Sequence, residues 1–315
     1  MFEIIVKTFH GFENVLAEEL TNLGATEVTA LKRAVSCKGD TKMVYKINLH
    51  ARSALRVLIP IKTFTTTSTD ELYKQVKEID WTKYMDLKEN FAVDSVVNSS
   101  TFRHSKYIAL KTKDAIVDRF RDLEGERPNI DLRFPDLKIN VHIDRQRCTI
   151  SLDTSGESLH KRGYKTATNI APINEVLAAG ILGLIGFKGM SHFIDPMCGS
   201  GTIIIEAAMI AANIAPGLKR QHWGFTNWIQ HDQALWGSLV EKAHESQVQP
   251  QGLIAGNDND KRVLNHAKQN ADSADVFDFI TFFNSDATKL QMDSLPGMIV
   301  SNPPYGERLS ELTEL

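Results

Sequence analysis

At 315 residues, with 42% hydrophobic and 24% charged side chains and a net charge of −3, the chain is ordinary for a globular protein and long enough for two domains. No apolar run approaches the roughly 20 residues that span a bilayer, the alternating start Met1-Phe-Glu-Ile-Ile-Val-Lys is not a signal peptide, and Cys37, Cys148 and Cys198 lack the CxxC spacing of a zinc site or disulfide framework. A cytoplasmic protein is expected, and its charge is uneven: residues 1–165 hold 27 Lys+Arg against 23 Asp+Glu, residues 166–315 hold 9 against 16, so the front half suits a polyanion unless the split is chance.

Phe2–Lys7 reads as a strand and Phe12–Leu23 as an amphipathic helix stopped by Gly24. A strand over Glu27–Cys37, a helix over Thr41–Ala51 and a strand over Leu55–Ile61 follow. Ser68-Thr-Asp-Glu71 is a capping box that opens a helix with Leu72, Val76 and Ile79 on one face. Phe91–Asn98 is a strand and Lys106–Leu123 a long helix. Leu137–Ile143 and Arg147–Leu152 alternate around Asp144-Arg-Gln-Arg147, the pattern of a hairpin. Together these make a compact α/β platform. The polar, basic stretch Ser155–Thr168 reads as a linker.

Beyond it the rhythm changes. A helix begun near Pro172 runs through Ala178–Ile185, His192–Asp195 is a strand and Thr202–Ala212 an apolar helix. Gly252–Asn257 is a strand, Asp260–Ala271 a helix, and Ile280–Asn284 and Met298–Ser301 are strands. Short buried strands alternating with helices indicate a parallel, doubly wound sheet. Asn213–Pro250, with Trp223, Phe225, Trp228 and Trp236, reads as an insertion that either packs over the sheet or clamps a nucleic acid.

Three segments carry chemistry. Asp195-Pro-Met-Cys-Gly-Ser-Gly-Thr202 is a strand-to-helix loop in which Gly199, Ser200, Gly201 and Thr202 let backbone approach a ligand. It lacks the Gly-Lys-Ser/Thr ending of a P-loop. The acid before it repels pyrophosphate and attracts an ammonium or sulfonium, both present in S-adenosyl-L-methionine (AdoMet). Asp258 ends the next strand, where a carboxylate can accept from ribose hydroxyls, while Asp260 reads as a helix cap. Asp286 follows the third strand and either reaches an adenine amine or caps a turn. Cys198 reads as a packing residue, and the histidines show no metal spacing.

The third segment is Ser301-Asn-Pro-Pro-Tyr-Gly-Glu-Arg308. Pro303 and Pro304 lack amide hydrogens and present only carbonyls. The Asn302 side-chain oxygen and a proline carbonyl can accept both hydrogens of an exocyclic amine, and Tyr305 can stack on an extruded base. Aiming such an amine at a sulfonium methyl is chiefly a matter of positioning and fixed acceptors.

The ordered set DPMCGSGT, GNDND, NSDAT and SNPPYGERL resembles the ribosomal RNA guanine-N2 methyltransferases that carry an N-terminal THUMP domain. The resemblance runs through IAPINEVLAAGIL, IAPGLKRQHWGF, SCKGD, LKTKDAIVDRF and ISLDTSGESLHKRGY, so it covers the whole chain. It is similar above all to the N-terminal part of the bifunctional members, in which a second methyltransferase domain follows. The resemblance implies a ferredoxin-like segment (1–42), a THUMP RNA-binding domain (43–154), a linker (155–168) and a Rossmann-like AdoMet-dependent methyltransferase sheet (169–315) that is expected to be short of its last strands. It also implies AdoMet on Asp195, Gly199, Gly201, Asp258 and Asp286, with Ser200 and Thr202 in the same loop, and catalysis by Asn302, Pro303, Pro304 and Tyr305. No metal is expected. The partner that the resemblance implies is 23S rRNA or a large-subunit assembly precursor, with no membrane. Adenine-N6 methylation, or an inactive RNA-binding fragment, are the alternatives.

Overall fold

A computed structural model describes residues 1–165, 173–290 and 297–303. The chain divides into two compact units, Met1–Leu159 with Gln221–Leu239, and His160–Arg220 with Val240–Leu315. No helix among the described residues is long and apolar enough to cross a membrane.

The first unit runs β1 (Phe2–Lys7), α1 (Glu13–Asn22), β2 (Thr26–Leu31), β3 (Ala34–Gly39), α2 (Thr41–His50), β4 (Arg56–Thr65), α3 (Thr69–Lys77), β5 (Asn90–Asn98), α4 (Ser105–Glu124), β6 (Asn129–Ile130), β7 (Leu137–Asp144) and β8 (Arg147–Asp153). Its eight strands form one sheet in the order β2-β3-β1-β4-β8-β7-β5-β6. Ser68 caps α3 by accepting from Glu71 N at 3.2 Å, as the capping box requires. Leu72, Val76, Trp81 and Phe120 are buried with the inward side chains of β7 and β8, and Trp81 Nε1 donates to Val76 O at 3.0 Å, so the indole is buried without an orphan donor.

One expected strand, Glu27–Cys37, is instead two, β2 and β3, paired antiparallel around Lys32-Arg33. No glycine, asparagine or proline marks this turn. Arg33 takes φ +58°, and the turn is held by Glu13, whose Oε1 accepts from Arg33 N at 2.9 Å. Backbone donors, Arg33 first, hold the Glu13 carboxyl down at about 2.

The start of the expected linker is well packed. Ser155 Oγ donates to Asn48 Oδ1 at 2.8 Å and accepts from Val57 N at 2.9 Å, and Asn48 Nδ2 donates to Thr154 Oγ1 at 2.7 Å. Asp153, Thr154 and Ser155 are all buried. Their polarity serves internal hydrogen bonds that satisfy buried groups.

The second unit contains α5 (Glu175–Leu184), β9 (His192–Asp195), α6 (Thr202–Ala211), the second half of α7 (Gln233–Glu245), β10 (Ile254–Asn257), α8 (Lys261–Ser273), β11 (Ile280–Phe283) and β12 (Gly297–Ile299). Pro172 lies outside the described residues, and Asn174 caps α5 by accepting from Val176 N at 2.9 Å. The four strands are parallel in the order β11-β10-β9-β12. Thr202 through Met209 of α6 are buried, and Phe193, Ile203, Ile204, Ile254 and Leu264 share that unit's core.

The expected insertion contributes residues 221–239 to the first unit. There Phe225 is 2% exposed and its ring lies 4.6 Å from Tyr45, 5.1 Å from Trp236 and 5.5 Å from His231. Tyr45 Oη contacts His231 Nδ1 at 2.8 Å and accepts from Asp232 N at 2.9 Å. Of the two expectations for these aromatics, packing is seen for Phe225, but against Tyr45 of α2 within the first unit and not over the parallel sheet. Removing so large a buried ring costs about 3–5 kcal/mol. Phe225→Ala is therefore expected to lower the urea midpoint of the first unit, followed by tryptophan fluorescence; an unchanged midpoint would show that the cluster is dispensable.

Candidate functional site

Chain order reverses at β9, with β10 on one side and β12 on the other. Such a switch point leaves a crevice beyond the carboxyl ends of the strands, where open α/β sheets bind ligands. Gly256 pairs with Asp195 and Ile299 with Ile194, and Val300 N donates to Ile194 O at 3.0 Å. The glycine loop after β9 and the Asn302-Pro303 segment after β12 thus leave the sheet from neighbouring strand ends.

Asp195 joins them. It is 1% exposed, and its Oδ1 accepts from Met197 N at 3.1 Å and from Ser301 Oγ at 2.7 Å. Burial pushes its carboxyl up to about 6, against the opposing pull of Ser301 and the Met197 amide and with a small upward push from Asp258. Gly199 and Gly201 have φ +57° and +87°. A Cβ at Gly201 would lie 3.0 Å from Ala267 Cβ on α8, whereas one at Gly199 would meet nothing within 4 Å. Gly201 is required for packing; at Gly199 the loop is open. Ser200 and Thr202 are buried, and Thr202 Oγ1 has no hydrogen-bond partner among the described residues.

Asp258 holds the loop from the next strand. Its Oδ2 accepts from Gly199 N at 2.9 Å and its Oδ1 from Asp260 N at 2.9 Å. An ionised carboxylate has about four acceptor positions, so each oxygen retains capacity for a ligand hydroxyl. Asp260 caps α8 through Arg262 N at 2.8 Å. Asp286 is exposed and accepts from Thr288 N at 2.9 Å and Thr288 Oγ1 at 2.8 Å, capping the turn that follows β11. These bonds lower its carboxyl below the ordinary value. Burial raises the Cys198 thiol, in keeping with a packing role. Asn302 and Pro303 are exposed next to Ser301, and Pro304 and Tyr305 lie outside the described residues.

Two residues that sequence reasoning passed over organise the site. Asn257, fully buried, donates from Nδ2 to Pro196 O and Ser285 O at 2.9 Å each, while Oδ1 accepts from Ser285 N at 3.0 Å and Ser285 Oγ at 2.9 Å. One amide braces the loops after β9 and β11. Asn270 on α8, also buried, donates to Ser200 O at 3.0 Å. The available signal was an amide in an apolar strand end and another on the apolar face of a helix, positions where a polar group must be paired.

Beside the switch point, among the described residues, lie the open face at Gly199, the buried Asp195 carboxylate and a Thr202 hydroxyl without a partner. Among the described residues no group of His, Cys, Asp and Glu could hold a metal ion. The strand order defines a Rossmann-like α/β protein with a candidate ligand site at its switch point, preceded by a mixed-sheet unit. Residues 3–58 match an RlmL ferredoxin-like domain, 66–153 a THUMP domain and 162–315 an RMKL-like methyltransferase domain. The chain belongs to the THUMP-bearing RMKL-like methyltransferase family.

A ribosomal RNA large subunit methyltransferase K/L from Syntrophotalea carbinolica is 42% identical over 97% of this chain and 44% of its own length. The chain spans less than half the length of the curated relatives it matches. Among solved structures, one from Listeria monocytogenes, described as a predicted N6-adenine-specific DNA methylase, shares 34% identity with TM-score 0.88, over 98% of this chain and 81% of that one. A putative methyltransferase complexed with SAH shares 32% identity with TM-score 0.87, over 98% and 82%.

The two loop glycines differ testably. Gly199→Ala meets only the cost of left-handed backbone, about 1–2 kcal/mol. Gly201→Ala adds the contact with Ala267 and is expected to lower the melting temperature of the second unit further. Equal effects in calorimetry would contradict the packing role assigned to Gly201.

Proposed function

We propose that the chain transfers a methyl group from AdoMet to the exocyclic N2 of a guanine in 23S ribosomal RNA, free or in a large-subunit assembly precursor, in the cytoplasm. The observation that carries this reading is the pairing of β12 with β9 and the Ser301–Asp195 hydrogen bond, which bring the amine-accepting segment beside the glycine loop. The names of the curated relatives and the SAH in a solved relative support it.

When bound, AdoMet supplies a methyl group on a sulfonium centre, an electrophile that needs no further activation. Asp195, Gly199, Ser200, Gly201 and Thr202 would hold its amino-acid end, the carboxylate matching cationic charge in a site of low polarity. Asp258 would accept from the ribose hydroxyls through the lone pairs left free by Gly199 and Asp260, and Asp286 would accept from the adenine amine. Asn302 Oδ1 and the Pro303 carbonyl would accept the hydrogens of the guanine amine and stabilise positive charge developing on its nitrogen. Tyr305, after the second proline carbonyl, that of Pro304, would stack on the base.

Asn302→Ala is expected to lower kcat by about 10²–10³, the usual loss for one fixed polar group in a reaction centre, with AdoMet affinity changed only a few-fold. Mass spectrometry of nucleosides from treated rRNA should reveal N2-methylguanosine. N6-methyladenosine would instead select a second reading, adenine methylation, which the description of the Listeria relative favours.

Asp195 makes AdoMet binding pH-dependent. Its carboxyl titrates at about 6, so affinity should fall as pH is lowered through that value and Asp195→Asn should bind weakly with a flat profile. Stability at this group runs the other way. The folded state takes up a proton below about 6 that the unfolded chain takes up only near 4, so this group's contribution to stability rises as pH falls through that window. AdoMet titrations from pH 5 to 8 test the first effect and melting temperatures from pH 4 to 7 the second; affinity constant across pH 6 would remove Asp195 from the site.

A further inference from the structure

Four strands of the first unit end in a row. Thr65 of β4 pairs with Arg147 of β8, Arg147 with Asp144 of β7, and Asp144 with Asn98 of β5. The β7–β8 turn is tied to both neighbours, with Arg145 N donating to Asn98 O at 2.7 Å and Thr66 N to Gln146 O at 2.8 Å. Between this turn and the loop after β5 lies an open cleft of about 700 Å³, lined by Thr65, Ser99, Ser100, Thr101, Arg145 and Arg147 together with Asp144. Ser99 Oγ accepts from Thr101 N at 3.2 Å, which leaves its own proton free to donate. The Asp144 carboxylate accepts from Asn98 Nδ2 at 2.8 Å.

The cleft carries two guanidiniums against one carboxylate, Asp144. Arg145 and Arg147 are exposed and have no ion-pair partner among the described residues, nor do Arg103 and Lys106 just beyond Thr101. Another basic cleft of the unit, about 520 Å³ along α4, also has one exposed cation without an ion-pair partner among the described residues, Arg127, but its remaining cations are paired. Its Lys111 pairs with Asp70 at 3.4 Å, Lys113 with Asp114 at 2.7 Å and Arg121 with Asp118 at 3.0 Å. Cations already neutralised by carboxylates release few counterions from a polyanion, whereas free guanidiniums release them fully. Planar guanidiniums also match phosphate oxygens two at a time.

We propose that the strand-end cleft of the first unit seats the phosphodiester backbone of the RNA substrate, with Arg145 and Arg147 on phosphate oxygens and the Ser99, Ser100 and Thr101 hydroxyls donating to the same groups. This assignment rests on the RNA reading above and gives it a second point of contact, one that positions the strand without reading its bases.

The test uses the whole chain and a transcribed large-subunit rRNA fragment, with binding followed by fluorescence anisotropy over a range of salt. Arg145→Gln/Arg147→Gln should weaken binding at least about tenfold near 100 mM salt and reduce the slope of log affinity against log salt by about 1.5. Arg145→Lys/Arg147→Lys should recover the slope but only part of the affinity. Lys111→Gln/Lys113→Gln should change affinity less than about twofold, and all variants should keep the wild-type melting temperature and AdoMet affinity. Wild-type affinity and slope in the arginine variant, or an equal loss in the lysine variant, would overturn the proposal. If rRNA binding drops as expected in the arginine variant while the wild type yields no N2-methylguanosine, the cleft stands and the guanine reading falls.

Discussion

Ser301 donates to Asp195 across two strand ends that are 106 positions apart in sequence. Everything proposed for the site depends on that closeness. The glycine loop can seat a ligand and the Asn302 segment can accept an amine, but neither matters unless both open on one crevice. Parallel pairing of β9 with β12 enforces this at the level of backbone, and the reversal of strand order keeps the space above the two strands clear. Asp195 bonds to both segments, and its burial makes each of its bonds stronger than it would be in water.

Much of the polar chemistry near this crevice is spent on holding the loops. Asp258 fastens Gly199, Asn257 ties the loops after β9 and β11, and Asn270 fixes Ser200. A rigid surround of this kind sets reacting groups in advance, which matters most in a reaction governed by positioning.

The strand–helix alternation of the second unit was legible because short apolar strands and caps such as Asn174 and Asp260 obey local rules. Asp195, the loop and the Asn302 segment could be singled out by residue type, and the pairing of β9 with β12 puts their strand ends side by side. The β2–β3 hairpin was hidden because its turn has ordinary residues and is held by Glu13, distant in sequence. Ser155 and its neighbours resembled a solvated connection because composition does not distinguish a polar group facing water from one paired inside. Asp286 showed in advance only that it could serve a ligand or a turn; the turn bond is present, and it leaves capacity for the other. Asn257 was missed since its importance lies in which backbone groups surround it, and those meet only after folding.

Residues 221–239 belong to the first unit although the chain has by then entered the second. During synthesis at roughly 5–20 residues per second, Tyr45 must wait for Phe225, Trp236 and His231 to leave the ribosome before its cluster can close. The aromatic cluster of the amino-terminal part therefore cannot close as an independent early event. Ring partners so far along the chain also make closure slow, so the rate of translation through this stretch becomes part of how the molecule reaches its final form.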